Sequence, residues 1–227
     1  MRPKLILSWS SGKDSAFALH TLRAAGEFDV TALMTTINEV HDRVAMHAVR
    51  RELLRAQARA GRLPLVEIDL PFPCSNEDYE ARMRAFVTHA SSLGVTHVAF
   101  GDLFLEDVRA YRVQKLEGTG LTPVFPLWGK PTPALAREMI ASGLRAVLTC
   151  VDPKQIAPSF AGRAFDQSLL DDLPASADPC GERGEFHSFV WAGPMFAEPV
   201  PVVSGEVVER DGFVFADLLP EPKPGHD

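Results

Sequence analysis

The chain has 227 residues, of which 46% are hydrophobic, and it carries a formal net charge of −7 at neutral pH. This size predicts one large domain, or a domain with a smaller appendage, built on a substantial core. No apolar stretch reaches the roughly 18 residues of a membrane span, and the apolar run behind the basic N-terminus is too short for a signal peptide. The negative charge disfavours a nucleic-acid partner.

The cysteines are Cys74, Cys150 and Cys180, which lie far apart and form no Cys-x-x-Cys pair. This spacing predicts neither a zinc site nor a disulfide framework. We therefore expect a reducing, cytoplasmic environment for the chain.

Short apolar runs alternate with segments of helical period along roughly the first two thirds of the chain. Ser75 followed by Asp78 resembles a capping box and marks the start of the third helix. The predicted strands are residues 5–8, 30–36, 65–70, 97–100, 123–125 and 146–151. The predicted helices are residues 13–25, 43–60, 76–93, 106–117 and 133–142.

This order of elements predicts an α/β fold with a doubly wound, mostly parallel sheet. In such a sheet ligands bind beyond the carboxyl ends of the strands, near the point where the strand order reverses. The segments expected at that crevice are residues 8–15, 35–38, 101–102 and 150–153.

The composition changes near residue 153, where prolines, acidic residues and short apolar pieces begin to dominate. Residues 186–191 are predicted to form a strand, and residues 200–208 with 212–218 a hairpin. We therefore predict a small C-terminal α+β lobe. The predicted divisions are residues 1–152 for the first domain, 153–219 for the lobe and 220–227 for a disordered, proline-rich tail.

Residues 8–15, Ser-Trp-Ser-Ser-Gly-Lys-Asp-Ser, are the most informative segment of the chain. They form a small-residue loop between a buried strand and a helix that begins near Asp14. Backbone N–H groups at a helix N-terminus, together with Lys13, form a site suited to phosphate or pyrophosphate. The alternative is a plain strand-to-helix turn capped by Ser10 or Asp14.

Other phosphate-binding loops fit these residues less well. In a Walker A loop, a glycine would replace Leu7 and a magnesium-binding Ser or Thr would replace Asp14. A dinucleotide fingerprint needs three glycines at fixed spacing, and only Gly12 is present.

The order small-small-Gly-Lys-Asp-Ser resembles the pyrophosphate-binding loop (PP-loop) of ATP pyrophosphatases, usually Ser-Gly-Gly-x-Asp-Ser. The resemblance implies a Rossmann-like fold of the PP-loop (HUP) type, with ATP cleaved between its α- and β-phosphates. The first domain would then bind the nucleotide and the lobe would cover the substrate. Ser11 stands where these proteins have their first glycine, so we expect the backbone there to avoid positive φ.

Further segments between about residues 4 and 196 are similar to the diphthine–ammonia ligase family within the PP-loop group. They are residues 46–49, 57–58, 63–65, 100–103, 109, 112, 120–121, 126–128, 179–189 and 193–196. This resemblance implies ATP-dependent activation of an acceptor, usually a carboxylate, as an adenylate, followed by attack of ammonia.

Two departures from the family pattern concern the acceptor more than the ATP chemistry. Arg183 replaces a glycine of the usual Gly-Glu-Gly-Gly-Glu segment. Residues 101–116 lack the short tyrosine-glutamine-arginine stretch of the ligases. Together with Ser11, these departures favour a bacterial-type member, since bacteria lack diphthamide. The expected partners are ATP, ammonia or another amine, and an acceptor of unknown identity, with a homodimer left open.

Site residues follow from the loop and from the resemblance. Asp14 and Asp102 are the predicted magnesium ligands, because an acid beside a phosphate needs a bridging cation. Nucleotide contacts are predicted for Ser8, Ser10, Ser11, Gly12, Lys13, Asp14, Ser15, Met34, Thr35 and Gly101. Catalytic roles are predicted for Lys13, Asp14, Asp102, Arg109, Arg112, Glu182 and Glu185.

The charged candidates each have a structural alternative. Arg109 and Arg112 share a helical face and would stabilise charge at the α-phosphorus, or else form a surface patch with Glu106. Glu182 and Glu185 would orient the amine, accept its proton or bind magnesium, or else be exposed loop acids.

The remaining aromatic and imidazole candidates are weaker. His47 and His187 are acid–base candidates, although a lone helical histidine such as His47 more often serves packing. The aromatic residues Trp9, Phe100 and Trp128 are expected in the core rather than against adenine.

Two other functions fit the same fold. A PP-loop sulfur transferase acting on transfer RNA would need reactive cysteines, for which Cys150 and Cys180 are the candidates. A non-catalytic ATP-binding protein would hold ATP without cleaving it, although its phosphate loop normally lacks the Lys-Asp-Ser ending.

Overall fold

The structure, a computed structural model, describes residues 1–44 and 49–222. The helices are α1 Lys13–Ala25, α2 Arg51–Ala60, α3 Asn76–Ser92, α4 Glu106–Leu116, α5 Thr132–Ala141 and α6 Gln167–Asp172. The strands are β1 Lys4–Ser8, β2 Asp29–Asn38, β3 Arg43–Val44, β4 Leu65–Leu70, β5 Val95–Ala99, β6 Thr122–Val124, β7 Arg145–Val151, β8 Phe186–Ala192, β9 Val202–Arg210 and β10 Phe213–Pro220. None of the helices in these ranges is long and apolar enough to cross a membrane.

The first sheet is mostly parallel, as predicted. Strand β1 lies between β2 and β5, and β4 and β6 extend the sheet on either side in the same direction. Strand β3 is antiparallel and pairs with the end of β2. The chain runs from β1 to one side of the sheet and later returns to the other side, so the strand order reverses beside β1. The loops that follow β1 and β5 therefore meet at one edge.

Alternating apolar residues explain why helices cover both faces of this sheet. Leu5 and Leu7 of β1 point into one core, which also contains Phe17 of α1 and Leu53 of α2. Ile6 points into a second core on the opposite face, with residues of α3. Parallel strands buried on both faces are typical of doubly wound α/β proteins, and the predicted fold class is confirmed.

The second sheet is antiparallel, with the strand order β8-β7-β10-β9. The predicted strand at 186–191 and the predicted C-terminal hairpin are confirmed as β8 and the pair β9–β10. The prediction for residues 146–151 was wrong in one respect, because β7 belongs to this sheet rather than to the parallel one. A buried strand reads as an apolar run in either kind of sheet, so the sequence pattern does not identify its neighbours.

One further prediction changed at its boundary, and two others involve residues outside the described ranges. Residues 43–44 form β3, and α2 begins only at Arg51, so the helix predicted from residue 43 starts later. Residues 45–48, which include the candidate His47, lie outside the described residues, as do residues 223–227 of the predicted tail. The divisions at residues 152 and 219 stay predictions.

Candidate active site

The loop between β1 and α1 begins the site. Gly12 occupies the N-cap position of α1 in extended conformation, and the first N–H of the helix, that of Lys13, donates to Ser188 Oγ at 3.2 Å. The capped-turn alternative through Ser10 or Asp14 is therefore wrong. The Ser10 and Ser15 hydroxyls lie 3.1 Å apart, and Ser15 Oγ donates to the Gly12 carbonyl at 3.0 Å. A helix N-terminus with hydroxyls beside it is suited to an anion.

Ser11 adopts the conformation that we expected it to avoid. Its φ is 71°, in the left-handed region that favours glycine. The Ser11 carbonyl accepts hydrogen bonds from Val190 N at 3.1 Å and from Gln57 Nε2 at 3.0 Å. These contacts with distant parts of the chain impose the backbone conformation, which local preference alone does not predict. Ser11 is also fully buried, and its hydroxyl has no hydrogen-bond partner among the described residues.

Ser11→Gly should therefore stabilise the fold. A left-handed L-residue costs about 1–2 kcal/mol, and part of that gain is offset by the greater freedom of glycine in the unfolded chain. We expect a net gain of about 1 kcal/mol in the free energy of unfolding, measured by urea denaturation. Ser11→Ala removes the hydroxyl but keeps the strained backbone, so it should gain less than glycine. Equal stability of the glycine and alanine variants would contradict a strained backbone at this position.

Gln57 is a residue whose role the sequence reasoning missed. It is fully buried in α2, and its Nε2 donates to the carbonyls of Ser11 at 3.0 Å and Val190 at 2.7 Å. Its Oε1 accepts from Trp9 Nε1 at 2.9 Å. Gln57 thus joins the loop to β8 of the second sheet. A glutamine among apolar residues of an amphipathic helix was the available signal, because a buried amide needs partners.

A cavity of about 250 Å³ opens beside this loop. It lies where the loop after β1, the loop after β5 and the segment before and within β8 converge. Its lining includes Ser8, Ser10, Lys13, Asp14, Ser15, Gly101, Asp102, Arg112, Glu182 and His187. Most of the predicted polar site residues therefore meet in one place, although they come from distant parts of the sequence.

Lys13 is nearly buried and connects both parts of the chain. Its Nζ lies 2.9 Å from Asp14 Oδ2 and also donates to the Cys180 carbonyl. Its backbone N–H donates to Ser188 Oγ at 3.2 Å. Burial opposes the charge of Lys13, but Asp14 and other anionic neighbours outweigh it, so the pKa of the ammonium is raised. Lys13 is therefore a positively charged group within the cavity.

The cavity acids resist ionisation. Burial raises the pKa of Asp14 although Lys13 opposes this shift, and burial raises the pKa of Asp102 although Arg112 opposes it. Burial also raises the pKa of Glu182 to about 7, against hydrogen bonds from the backbone of Leu103 and Phe104. A carboxyl group with a pKa near neutrality is a candidate acid–base group.

Two of these acids, Asp14 and Asp102, are the predicted magnesium ligands. Asp102 Oδ2 is buried and accepts no hydrogen bond from any described residue. The described ranges contain no ready-made cluster of three or more metal-binding side chains. Magnesium commonly uses one or two carboxylates and takes its other ligands from phosphates and water. The predicted ligands Asp14 and Asp102 both line the cavity and suit that pattern.

The structure separates the two predicted arginines. The Arg112 guanidinium lines the cavity, stacks over Phe100 at 4.8 Å and places Nε 3.5 Å from Asp102 Oδ2. The Arg109 guanidinium instead stacks on Trp128, with 4.6 Å to the ring centroid. Arg112 is thus placed for the predicted role, whereas Arg109 packs on an aromatic ring.

The two glutamates also differ. Glu182 Oε1 accepts from Leu103 N at 2.7 Å, which joins the loop after β5 to the C-terminal segment. Glu185 is buried, and its carboxylate accepts from Asp178 N at 2.7 Å and Arg183 N at 3.0 Å. The contacts of Glu185 maintain the shape of the loop that carries Glu182, and the exposed-acid alternative is wrong for Glu185.

His187, Cys150 and Cys180 have pKa values that favour their neutral forms near pH 7. Burial, and secondarily Lys13, lowers the pKa of His187 to about 4, so its ring is neutral near pH 7. Burial raises the pKa of Cys150 to about 11 and also raises the pKa of Cys180. Nucleophilic cysteines need a lowered pKa. Cys150 also lies in the antiparallel sheet, not after a strand of the parallel sheet as we had predicted.

A second, larger cavity adjoins the first. It measures about 590 Å³, and its lining includes Met34 and Thr35 of β2, the predicted nucleotide contacts. The two cavities share Ser8, Ser10, Phe100 and Arg112. Trp9 and Phe100 are buried in the core as predicted, and each also lines this second cavity.

These features define an α/β protein with a small-residue loop before α1 and an acidic cavity at the carboxyl edge of a parallel sheet. The sequence of this chain also matches two domain models of one known protein family. Residues 3–121 match the diphthamide synthase N-terminal domain, and residues 131–216 match the diphthamide synthase C-terminal domain. The chain belongs to the diphthamide synthase family.

Curated relatives are diphthine–ammonia ligases. The chain is 27% identical to the Danio rerio protein over 231 residues, which covers 92% of this chain and 90% of that protein. It is 31% identical to the Homo sapiens protein over 120 residues, which covers 50% of this chain. That match spans 45% of the human protein, and the Bos taurus match spans the same share. The resemblance inferred from the motifs is confirmed at the level of the family.

Proposed function

We propose that this protein is an ATP-dependent, amide-forming ligase that cleaves ATP to AMP and pyrophosphate. The observation that carries the proposal is the convergence of both family domains on one cavity. Lys13, Asp14, Asp102 and Arg112 come from the N-terminal domain, whereas Glu182 comes from the C-terminal domain. The acceptor is of unknown identity, and the nucleophile that attacks it is ammonia or another amine. We propose a cytoplasmic location for the reaction.

The chain's own residues have separable tasks. The loop amides and Lys13 hold the β- and γ-phosphates of ATP. Arg112 balances the charge that develops at the α-phosphorus when the acceptor oxygen attacks and pyrophosphate leaves. Asp14 and Asp102 would hold Mg²⁺, which neutralises phosphate charge. Glu182 accepts a proton from the attacking ammonia as the amide forms and AMP leaves.

The alternatives are less well supported. A sulfur transferase needs a thiolate, and burial raises the pKa values of Cys150 and Cys180. A non-catalytic ATP-binding protein does not need a carboxyl group whose pKa lies near 7, such as that of Glu182.

The test is the identity of the nucleotide products. The protein is incubated with Mg²⁺, ammonium, a cell extract and ATP labelled at the α- and γ-phosphates. We expect AMP and pyrophosphate, and extract fractions that raise the rate would contain the acceptor. ADP with phosphate, or unchanged ATP, would overturn the proposal.

The pH dependence of stability should report on Glu182. Its folded pKa of about 7 exceeds the ordinary 4.5, so between these values the folded state binds more protons than the unfolded state. The free energy of unfolding should therefore fall as the pH rises from 4.5 to 7. Glu182→Gln should remove this part of the fall, measured by urea denaturation at several pH values.

Turnover should show the opposite dependence on pH. A base must be ionised to accept a proton, so activity measured at a fixed concentration of unprotonated ammonia should rise through about pH 7 in the unaltered protein. Glu182→Gln should lower the rate by about 10²-fold and abolish that rise. The matched variant Glu138→Gln alters a surface carboxylate on α5 that pairs with Lys130 and should change neither profile. Retention of the rise in Glu182→Gln would contradict the assignment.

A further inference from the structure

The larger cavity has a size suited to a small organic ligand. Its volume of about 590 Å³ lies within the range of about 300–1,000 Å³ for pockets that hold drug-sized molecules. It extends between α3 and α4 against the sheet and joins the acidic cavity at Phe100 and Arg112. The lining is mainly apolar and includes Met83, Val87 and Leu116.

The two helices beside this cavity bury only part of their apolar side chains, and Tyr79, Met83 and Val87 of α3 pack against the second core but stay partly exposed. On α3, Tyr79, Met83, Phe86, Val87 and Ala90 form one stripe at helical spacing, but only Phe86 and Ala90 are buried. Helix α4 has no buried residue. An amphipathic helix on a sheet normally buries its apolar stripe. The partly exposed residues of this stripe also line the cavity, so an apolar ligand would complete the packing.

The cavity is elongated along α3. Tyr79 and Thr88 both line it, and at about 1.5 Å per residue nine residues correspond to about 14 Å of helix. Met34 and Thr35 of β2, the predicted nucleotide contacts, line the same cavity on the sheet. The part between α3 and α4 remains for a second, elongated ligand.

The charges favour a carboxylate at the inner end of the cavity. Glu80 is paired with Lys115 at 2.8 Å and with Arg84 at 3.7 Å. Arg112 lies where the cavities join; its Nε faces Asp102 Oδ2 at 3.5 Å without a hydrogen bond, which leaves the other donors of the guanidinium for a ligand. A guanidinium has several donors for a carboxylate, and one already stacked on Phe100 is held in position.

We propose that the acceptor is a small carboxylic acid with an elongated apolar body, bound between α3 and α4 with its carboxylate at Arg112. This inference rests on the proposed ligase function. A carboxylate oxygen bonds to the α-phosphorus of ATP while the bond to pyrophosphate breaks. Ammonia then bonds to the acyl carbon, AMP leaves, and the nitrogen loses its proton to Glu182.

The test is the exchange of labelled pyrophosphate into ATP with octanoate, 4-phenylbutyrate and acetate as probes. Each buried methylene group favours binding, so octanoate should support exchange at concentrations about a hundredfold lower than acetate. Val87→Phe fills the cavity and should weaken the response to octanoate by about tenfold or more. The matched variant Val113→Phe alters an exposed residue of α4 and should leave the response to octanoate unchanged.

The outcomes separate this inference from the proposed function. If acetate and octanoate act alike, or if neither acts while cell extract still yields AMP and pyrophosphate, the inference fails and the ligase function stands. If extract and probes alike yield no AMP, both fail. A second measurement does not depend on the folding of a variant. It is the calorimetric titration of the unaltered protein with octanoate in the presence of ATP. Absence of binding would also overturn the inference.

Discussion

Lys13→Met should lower pyrophosphate release by about 10²- to 10³-fold, the usual effect of removing one charged or hydrogen-bonding group that stabilises a transition state. Methionine preserves most of the apolar stem between the rings of Phe165 and Phe186, which lie 5.7 and 5.3 Å from the Lys13 ammonium. The substitution therefore removes mainly the charge. The measurement is the rate of AMP formation from labelled ATP, with melting temperature as the check on folding.

Lys130→Met is the matched control for this prediction. Lys130 lies at the surface beside Glu138, with 3.4 Å between the charged atoms. Its loss should leave the rate unchanged within about twofold, because surface ion pairs contribute little. If a folded Lys13→Met protein retained full activity, the phosphate-loop assignment would be wrong.

Gly101→Ala should damage both the fold and the site. A Cβ atom at position 101 would lie 2.9 Å from the backbone carbon of Asp14 and 2.9 Å from the backbone nitrogen of Ser15. Both atoms belong to the first turn of α1 and cannot move aside as a side chain can. The loop that carries Asp102 must shift instead, at a cost of about 1–3 kcal/mol in the free energy of unfolding.

Activity should fall further than this stability loss suggests. A displacement of about 1 Å between reacting groups can cost about 10²-fold in rate. The shift of the loop would change the position of Asp102 relative to Asp14. Gly94→Ala is the control, since it lies before β5, away from the crevice. Its φ is +74° with no atom within 4 Å of the added Cβ, so it should cost about 1–2 kcal/mol of stability without changing the rate per folded molecule.

These two predictions test different contributions to the same site. Lys13 supplies charge, whereas Gly101 permits two loops to approach closely. If Lys13→Met is inactive and Gly101→Ala is fully active when folded, the phosphate loop is essential but Asp102 does not act with it. That result would remove Asp102 from the predicted magnesium site and leave Asp14.

The loop before β8, which carries Glu182 and Glu185, shows why similar residues acquire different roles. Glu182 and Glu185 are three positions apart, and the sequence predicted catalytic roles for both. The structure directs Glu182 into the cavity, whereas both carboxylate oxygens of Glu185 accept backbone hydrogen bonds. Glu185 therefore maintains the shape of the loop, since its two carboxylate oxygens satisfy two backbone N–H groups.

The sequence by itself determined the features that depend on neighbouring residues. The spacing of apolar residues predicted helices and strands because a side chain's direction repeats every 3.6 residues in a helix and every two in a strand. The loop at residues 8–15 identified the phosphate-site candidate because its small residues, lysine and helix start lie together in the chain. The motifs also identified the family before any contact was known.

Only the tertiary structure decided the features that depend on contacts between distant residues. The left-handed backbone of Ser11 is imposed by Gln57 and Val190, and the sheet that contains β7 is decided by its pairing partners. The raised pKa of Glu182 comes from burial at a junction with Leu103. Such effects arise when folding removes particular groups from water and brings others together, which a local sequence pattern does not encode.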